Sequence, residues 1–288
     1  MQPSATKQKQ YTKRASPLLN APYLTWSLLF IIAPLVMVAI YAFLDSSGGL
    51  SLETFKALFA SSHERRIWGR VYGDSLLYAL VATVICLGLA FPLAYFMANS
   101  RVRTQRMLMM LIMVPLMMNF LICTYSWRTI LETHGVINTF LNALGLPSLK
   151  LLNTPGAVVL GMVYNYLPFM ILPIYTVMSK LNHSLVEAAQ DLGASRWSVL
   201  RRVTVPLSIP GVVSGITMVF VPSVSTFYIS QKLGGKGNLI GDKIEEQFLL
   251  VYDNSRGAAL ALILMAIILL CMMFMKRFTD GEEGNFIT

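Results

Sequence analysis

Six runs of the chain, each about 20 residues or slightly longer and none holding an Asp, Glu, Lys, Arg or His, leave it almost no choice of fold. They are residues 24–44, 75–99, 107–127, 157–178, 206–229 and 257–275. A bilayer core offers no water to satisfy backbone N–H and C=O groups, so a segment of this length crosses it as a helix. A single charge at a helix centre costs roughly 2.5–3.5 kcal/mol on insertion, which explains why all six runs exclude one. The expected fold is an all-α integral membrane protein with six transmembrane helices.

Composition agrees, because 55% of the 288 residues are hydrophobic and only 13% are charged. Outside the runs there are only loops and tails. The expected organisation is an N-terminal tail, 1–23, a six-helix transmembrane domain, 24–275, and a C-terminal tail, 276–288. The N-terminus is basic but lacks a small-residue cleavage site after a short apolar core, so the first run is expected to be an uncleaved helix.

An even number of spans puts both termini on one side. With the termini inside, the inside segments carry thirteen Lys and Arg and five acids, while the longer outside loops carry ten and nine. The inside connection SRVRTQR is short and triply basic. The expected orientation therefore has both termini cytoplasmic. The formal net charge of +9 is mostly a topology signal, because no basic run is interleaved with base-stacking aromatics and no nucleic-acid partner is expected. Cys86, Cys123 and Cys271 all fall inside runs, too scattered for a disulfide or metal framework.

Several spans carry prolines, which membrane helices tolerate as kinks: Pro34, Pro92, Pro115, Pro168, Pro210 and Pro222. The third run adds Asn119 and six methionines between Met107 and Met118, expected as adaptable packing. Residues 45–73 read as a polar external loop with a short surface helix around Leu52, Phe55, Leu58 and Phe59. Ile137, Phe140, Leu141 and Leu144 predict another, ended by Gly145 and Pro147. Gly211 and Gly215 have the spacing of close helix contact.

Between the fourth and fifth runs lies EAAQDLGASRWSVLRRVTVP, polar and helix-forming. Ser184 and Glu187 have capping-box spacing, which predicts a helix from Leu185. Ala188 and Ala189 are strong helix formers of little bulk, so a partner can approach closely. Gly193 suits the left-handed stop of that helix, and Ser195 suits the cap of a second one, expected to run until Pro206. On the second helix Trp197, Leu200 and Val203 or Thr204 share a face. The whole segment, 184–206, reads as a helix-turn-helix on the inner membrane surface. The residues alone leave two readings: a docking surface, or a well-capped loop with no partner.

This segment resembles the signature of binding-protein-dependent ABC importer permeases: E-A-A, three residues, Gly, nine residues, I-x-L-P. Glu187, Ala188, Ala189, Gly193 and Pro206 match it, while Val203 and Val205 stand where Ile and Leu are usual. TPGAVVLGMVYNYLPFMILPIY and FYISQKLGGKGNLIGDKIEEQF are similar to the spermidine/putrescine permease subfamily. The resemblance implies a type I ABC importer permease fold in the cytoplasmic (inner) membrane of a bacterium. It implies coupling to an ATPase through Glu187, Ala188, Ala189, Gly193, Arg196 and Pro206. The implied partners are a second permease subunit in a heterodimer, two ABC ATPase subunits that bind ATP and Mg, and an extracytoplasmic polyamine-binding protein.

No catalytic residue, metal site or cofactor is expected in this chain. It has no GxxxxGK[ST] sequence, no HExxH, and His63, His134 and His183 fall in different loops. A polyamine route through spans without acids has to rely on hydroxyls, carbonyls and aromatic faces. The candidates are Tyr164, Asn165 and Tyr166 on the fourth run and Ser223, Ser225, Thr226 and Tyr228 on the fifth. Asp45, Asp74 and Glu132 are candidate acids of the outer rim. The alternatives are the same kind of permease for another solute, or a secondary transporter or channel. A membrane-embedded enzyme would need ionisable residues inside the spans.

Overall fold

Every described element but one isolated bridge residue is helical, as a chain that must satisfy its backbone inside lipid requires. The computed structural model describes residues 17–44, 49, 51–235 and 239–283. Asp45, residues 236–238 of the glycine-rich loop and the outer parts of both tails lie outside the described residues.

The first span consists of α1 (Pro17–Ser27), a wide π turn (Leu28–Ile32) and α2 (Ala33–Phe43). A short helix, α3 (Glu53–Ala60), leads into α4 (Ser62–Ala98), whose 37 residues extend over ~55 Å. α4 is therefore much longer than a bilayer core is thick, and it begins well before the span expected at residue 75. The Ser61 hydroxyl caps it by accepting from the Glu64 N–H at 3.0 Å. His63, Arg65, Arg66 and Arg70 ride on this first part of the helix instead of on a loop.

The third span is the largest departure from expectation. α5 (Val102–Met117) stops and α6 (Phe120–Leu131) restarts two residues later, the segment Phe120–Ala143 lying at 91° to Val102–Met117. Asn119 explains it: its side-chain oxygen accepts from the N–H groups of Leu121 and Ile122 and so begins a new helix inside the apolar run. Met118 is extended at the break. Among the described residues five helices are long and apolar enough to cross a membrane, or six when this bent pair is taken as one.

α7 (Val136–Ala143) is the expected short loop helix, and Gly145 ends its turn at φ 77°. Buried Asn138 holds the following loop, donating to the Glu132 and Leu149 carbonyls and accepting from the Leu149 N–H at 2.8 Å. α8 (Pro155–Met178) is the fourth span, close to its expected bounds. After α9 (His183–Asp191) and α10 (Arg196–Val199), a π turn (Leu200–Thr204) runs directly into α11 (Val205–Val224). A further π turn (Ser230–Gly234), α12 (Ile240–Glu246) and another π turn (Gln247–Val251) lead to α13 (Asn254–Glu283).

α4, α8 and α11 form the packed centre. Gly211 and Gly215 let α11 lie directly on α8: a Cβ at Gly211 would sit 2.9 Å from the Pro173 carbonyl oxygen, and one at Gly215 would sit 2.7 Å from Met170 Sδ. Cys86, Ala90, Ala94, Met97, Met170, Ile174 and Val219 fill this contact. α2 and α13 pack together, with Ala42, Tyr72, Val224, Ala258 and Leu260 in a second cluster. Buried hydroxyls such as Thr83 and Ser208 donate to carbonyls four residues back in their own helices, at 2.7 and 2.6 Å. The first span is almost wholly exposed, its Leu, Ile and Phe side chains facing outward as a lipid-contacting surface needs.

Candidate functional site

Two regions collect the residues singled out above, one at each end of the bundle. The first is the α9–α10 segment. α9 starts two residues earlier than expected, and its cap is Asn182, not Ser184: the Asn182 side-chain oxygen accepts from the Ser184 N–H at 3.1 Å. Asn182 takes precedence because an Asx side chain reaches the second following N–H at short range.

The end of α9 is a full Schellman stop. Gly193 N–H donates to Gln190 O at 2.8 Å and Ala194 N–H to Ala189 O at 3.0 Å, with Gly193 at φ 80°. Nothing lies within 4 Å of a Cβ built at Gly193, so the glycine is required by the backbone conformation alone. Ser195 caps α10, accepting from the Ser198 N–H at 3.3 Å.

Pro206 does not end the second helix. The Leu200–Thr204 turn is wide, with the Val205 N–H donating to the Leu200 carbonyl, so the helix passes through the proline and becomes the fifth span. The same register recurs at the first span, where the Leu28–Ile32 turn ends two residues before Pro34. A wide turn absorbs the missing donor and the ring clash that proline brings to a helix interior. Of the residues expected to share a face, Thr204 is buried, together with Val199, whereas Trp197 is 71% exposed.

α9 packs mainly on α10, so the segment stands off the bundle instead of lying flat against it. A recess of about 440 Å³ separates it from the ends of α4 and α8, lined by Tyr95, Asn99, Met178, Asn182, Gln190 and Arg196. Glu187, Ala188, Gly193 and Arg196 are exposed, Ala189 and Pro206 half-buried. Leu192 is 89% exposed, and with Leu185 and Trp197 it makes an apolar outer surface flanked by Glu187 and Arg196.

At the opposite end the structure brings together part of the expected route. The Tyr164 ring meets Trp127 edge-on at 5.4 Å. The Tyr166 hydroxyl donates to the Pro222 carbonyl at 3.4 Å, tying α8 to the end of α11. Tyr228 lies against Phe120 and Tyr125, at 5.9 and 6.3 Å between ring centroids. Asn165 is turned onto its own helix, donating to the Gly161 carbonyl at 2.8 Å. Ser223 and Thr226 are buried and Ser225 is exposed. Ser223 and Ser225 donate to carbonyls of α11, leaving their oxygens as acceptors.

α11 ends at Val224, inside the run expected to continue to residue 229. Its last carbonyls and the negative end of its dipole thus point into the polar stretch Ser225–Tyr228, an arrangement that favours a cation. The aromatic faces there already hold one. The Lys232 ammonium lies 5.5 Å from the centroids of both Tyr125 and Tyr228. Of the expected rim acids, Asp74 is half-buried on α4, and Glu132 is exposed with an ion pair to Arg128 at 3.5 Å.

The acids most closely tied to this end are ones that sequence reading passed over: Asp242, Glu245 and Glu246 on α12. Asp242 is buried, and its Oδ2 accepts from the Leu239 N–H at 3.0 Å. Burial pushes its carboxyl up to about 6, although the Ser230 hydroxyl, the Leu239 N–H and Lys243 favour the charged form. Glu245 accepts from the Gln231 side chain, and Glu246 pairs with Lys243 at 2.5 Å. The available signal was the concentration of three acids in GDKIEEQF directly after the glycine-rich stretch.

Residues 90–281 match the family described as binding-protein-dependent transport system inner membrane component. The chain is 36% identical over 259 residues to the spermidine/putrescine transport system permease protein PotB of Escherichia coli (strain K12), covering 88% of this chain and 93% of that one. It is 34% identical over 257 residues to the PotB of Haemophilus influenzae, covering 85% and 88%. In three dimensions it is similar to a chain of a bacterial ABC transporter involved in importing the acidic polysaccharide alginate. That match has a TM-score of 0.77 at 18% identity, over 92% of this chain and 95% of that one.

Proposed function

Because this chain belongs to the family of binding-protein-dependent transport system inner membrane components, we propose that it is a permease subunit of a bacterial ABC importer for small polyamines such as spermidine and putrescine. The observation that carries the polyamine reading is the similarity to two PotB permeases over more than four-fifths of the chain. Fold likeness says nothing of solute charge, since the alginate importer shares the architecture.

The α9–α10 segment is the mechanical input. Its stop at Gly193 and cap at Ser195 fix the angle between two helices, and its exposed Leu185, Leu192 and Trp197 suit an apolar groove on a partner. That partner is a cytoplasmic ATPase subunit that binds ATP and Mg, so hydrolysis lies outside this chain. Glu187 and Arg196, both exposed, are placed for polar contacts at the rim of that groove. Because α10 continues through Pro206 into α11, a displacement of α9 is delivered directly to the fifth span and to the packed α8–α11 contact at Gly211 and Gly215. Movement of this unit against a second permease subunit opens the route alternately to the two sides.

The solute arrives from an extracytoplasmic binding protein at the Ser225–Tyr228 end. Aromatic faces, serine oxygens and the carbonyl end of α11 attract its ammonium groups there. A specific observation favours a second reading, the same machine with a different solute: Lys232 places a fixed cation on the aromatic faces a polyamine would use. Mass spectrometry of the ligand carried by the binding protein that co-purifies with the transporter separates the two. A diamine or polyamine supports the first, and an anionic or uncharged solute supports the second.

A further inference from the structure

The recess between the turn after α11 and helix α12 is about 500 Å³ in volume and is lined by Gln231, Asp242, Glu245, Glu246, Leu249 and Leu250, together with Lys243. Three carboxylates face one ammonium there, a net charge of −2 when all are ionised. Asp242 is the unusual member. It is 3% exposed, and its Oδ1 has no hydrogen-bond partner, although buried carboxylate oxygens are normally satisfied. Gln231 holds Glu245 and Lys243 holds Glu246 through one carboxylate oxygen each, while the Asp242 Oδ1 has no donor within hydrogen-bond distance.

The lining points to one class of ligand. Leu249 and Leu250 are exposed beside the acids, a combination that suits a chain of methylenes ending in ammonium groups. Lys243 presents that chemistry from the protein itself, an alkyl ammonium 2.5 Å from a Glu246 oxygen. A metal ion fits poorly, since among the described residues no three His, Cys, Asp or Glu side chains converge closely enough to hold one. Carboxylates spread along a recess with an apolar flank match an extended organic dication instead.

We propose that this recess is an outer binding subsite for an alkyl diamine or polyamine, with the free oxygen of Asp242 and the Glu245 carboxylate receiving its ammonium groups and Leu249 and Leu250 covering its methylenes. The proposal rests on the polyamine reading given above and adds where in this chain the solute first binds.

The test uses the assembled transporter in lipid nanodiscs, without the binding protein, titrated calorimetrically with 1,4-diaminobutane and with spermidine. Removing one carboxylate–ammonium contact is expected to weaken binding by about 10-fold, so Asp242→Asn and Glu245→Gln each do so and Leu250→Ala weakens spermidine further. Should Asp242→Asn prevent assembly, Glu245→Gln and Glu246→Gln, at half-buried positions, decide the matter. Binding by the wild type that is unchanged in the Glu245 and Glu246 variants overturns the subsite. So does no binding by a wild type that still imports polyamine, or a site that takes Mg²⁺ in preference to the diamine. Failure of the wild type to import any polyamine when its binding protein is supplied overturns the solute reading itself, which separates the two failures.

Discussion

The Ser75 hydroxyl oxygen accepts a hydrogen bond from the Ile240 backbone N–H at 2.8 Å while its proton goes to the Val71 carbonyl, also at 2.8 Å. One fully buried serine on the second span thus holds the start of α12, and with it the acids at Asp242, Glu245 and Glu246. Ser75→Ala leaves the Ile240 N–H buried without a partner, at a cost of about 1–3 kcal/mol. The expected result is faster amide hydrogen exchange across residues 239–243 with little change in α8, measurable by mass spectrometry in nanodiscs.

At Gly193 the constraint is torsional only. A Cβ meets nothing, but φ 80° costs an ordinary L-residue roughly 1–2 kcal/mol. Gly193→Asn, which tolerates this conformation, is expected to keep more transport than Gly193→Ala, and Gly193→Val the least. All three insert normally, because the residue lies outside the spans. The ratio of solute imported to ATP hydrolysed in proteoliposomes ranks them. Equal coupling in all three would mean that the angle between α9 and α10 does not matter.

The Asp242 carboxyl sits above its ordinary value of 3.8, at about 6, because burial disfavours its charge. A carboxyl raised in the folded state favours folding at low pH, and that contribution is lost as pH rises through about 6. Asp242→Asn, which cannot ionise, is therefore expected to gain thermal stability relative to wild type as pH rises from about 4 to about 6 and to keep that gain above it. A bound diamine reverses the balance by stabilising the carboxylate. Its affinity should rise with pH over the same interval and release a proton from the site, read by calorimetry in buffers of different ionisation enthalpy. Glu245 and Lys243 act on this carboxyl in opposite senses, so Glu245→Gln is expected to move the midpoint down and Lys243→Met to move it up.

Lys232 occupies the faces of Tyr125 and Tyr228. Lys232→Met frees those rings and removes a repelling charge. Since a cation–π contact is worth about 0.5–2 kcal/mol, a several-fold faster import of polyamine at fixed binding-protein concentration is expected. Slower import of polyamine together with loss of an anionic solute would favour the second reading.

Much of this was legible in the sequence because it depends on local rules. Charge exclusion located the apolar runs, and a glycine between two helix-forming segments gave the stop at Gly193. What escaped depends on competition between neighbours. Asn182 and Ser184 both can cap, and only the fold shows that the earlier one does. Asn119 interrupts an apolar run that hydropathy alone reads as continuous. Pro206 looks like a helix end until the wide turn at Leu200–Thr204 absorbs it. The charged residues 63–70 look like loop, yet a membrane helix can extend beyond the lipid, as α4 does. Asp242 was passed over because its burial arises from contacts with segments far away in the chain.

The central claim is ATP-driven import of a polyamine through this chain, coupled by α9. The direct measurement is uptake of radiolabelled spermidine and putrescine into proteoliposomes. They would carry the complete transporter, with ATP inside and binding protein outside, comparing wild type with Glu187→Ala. The account predicts accumulation that requires ATP and is lost in Glu187→Ala while the subunits still assemble. Polyamine flux that proceeds without ATP, or no polyamine accumulation by the wild type, would contradict it.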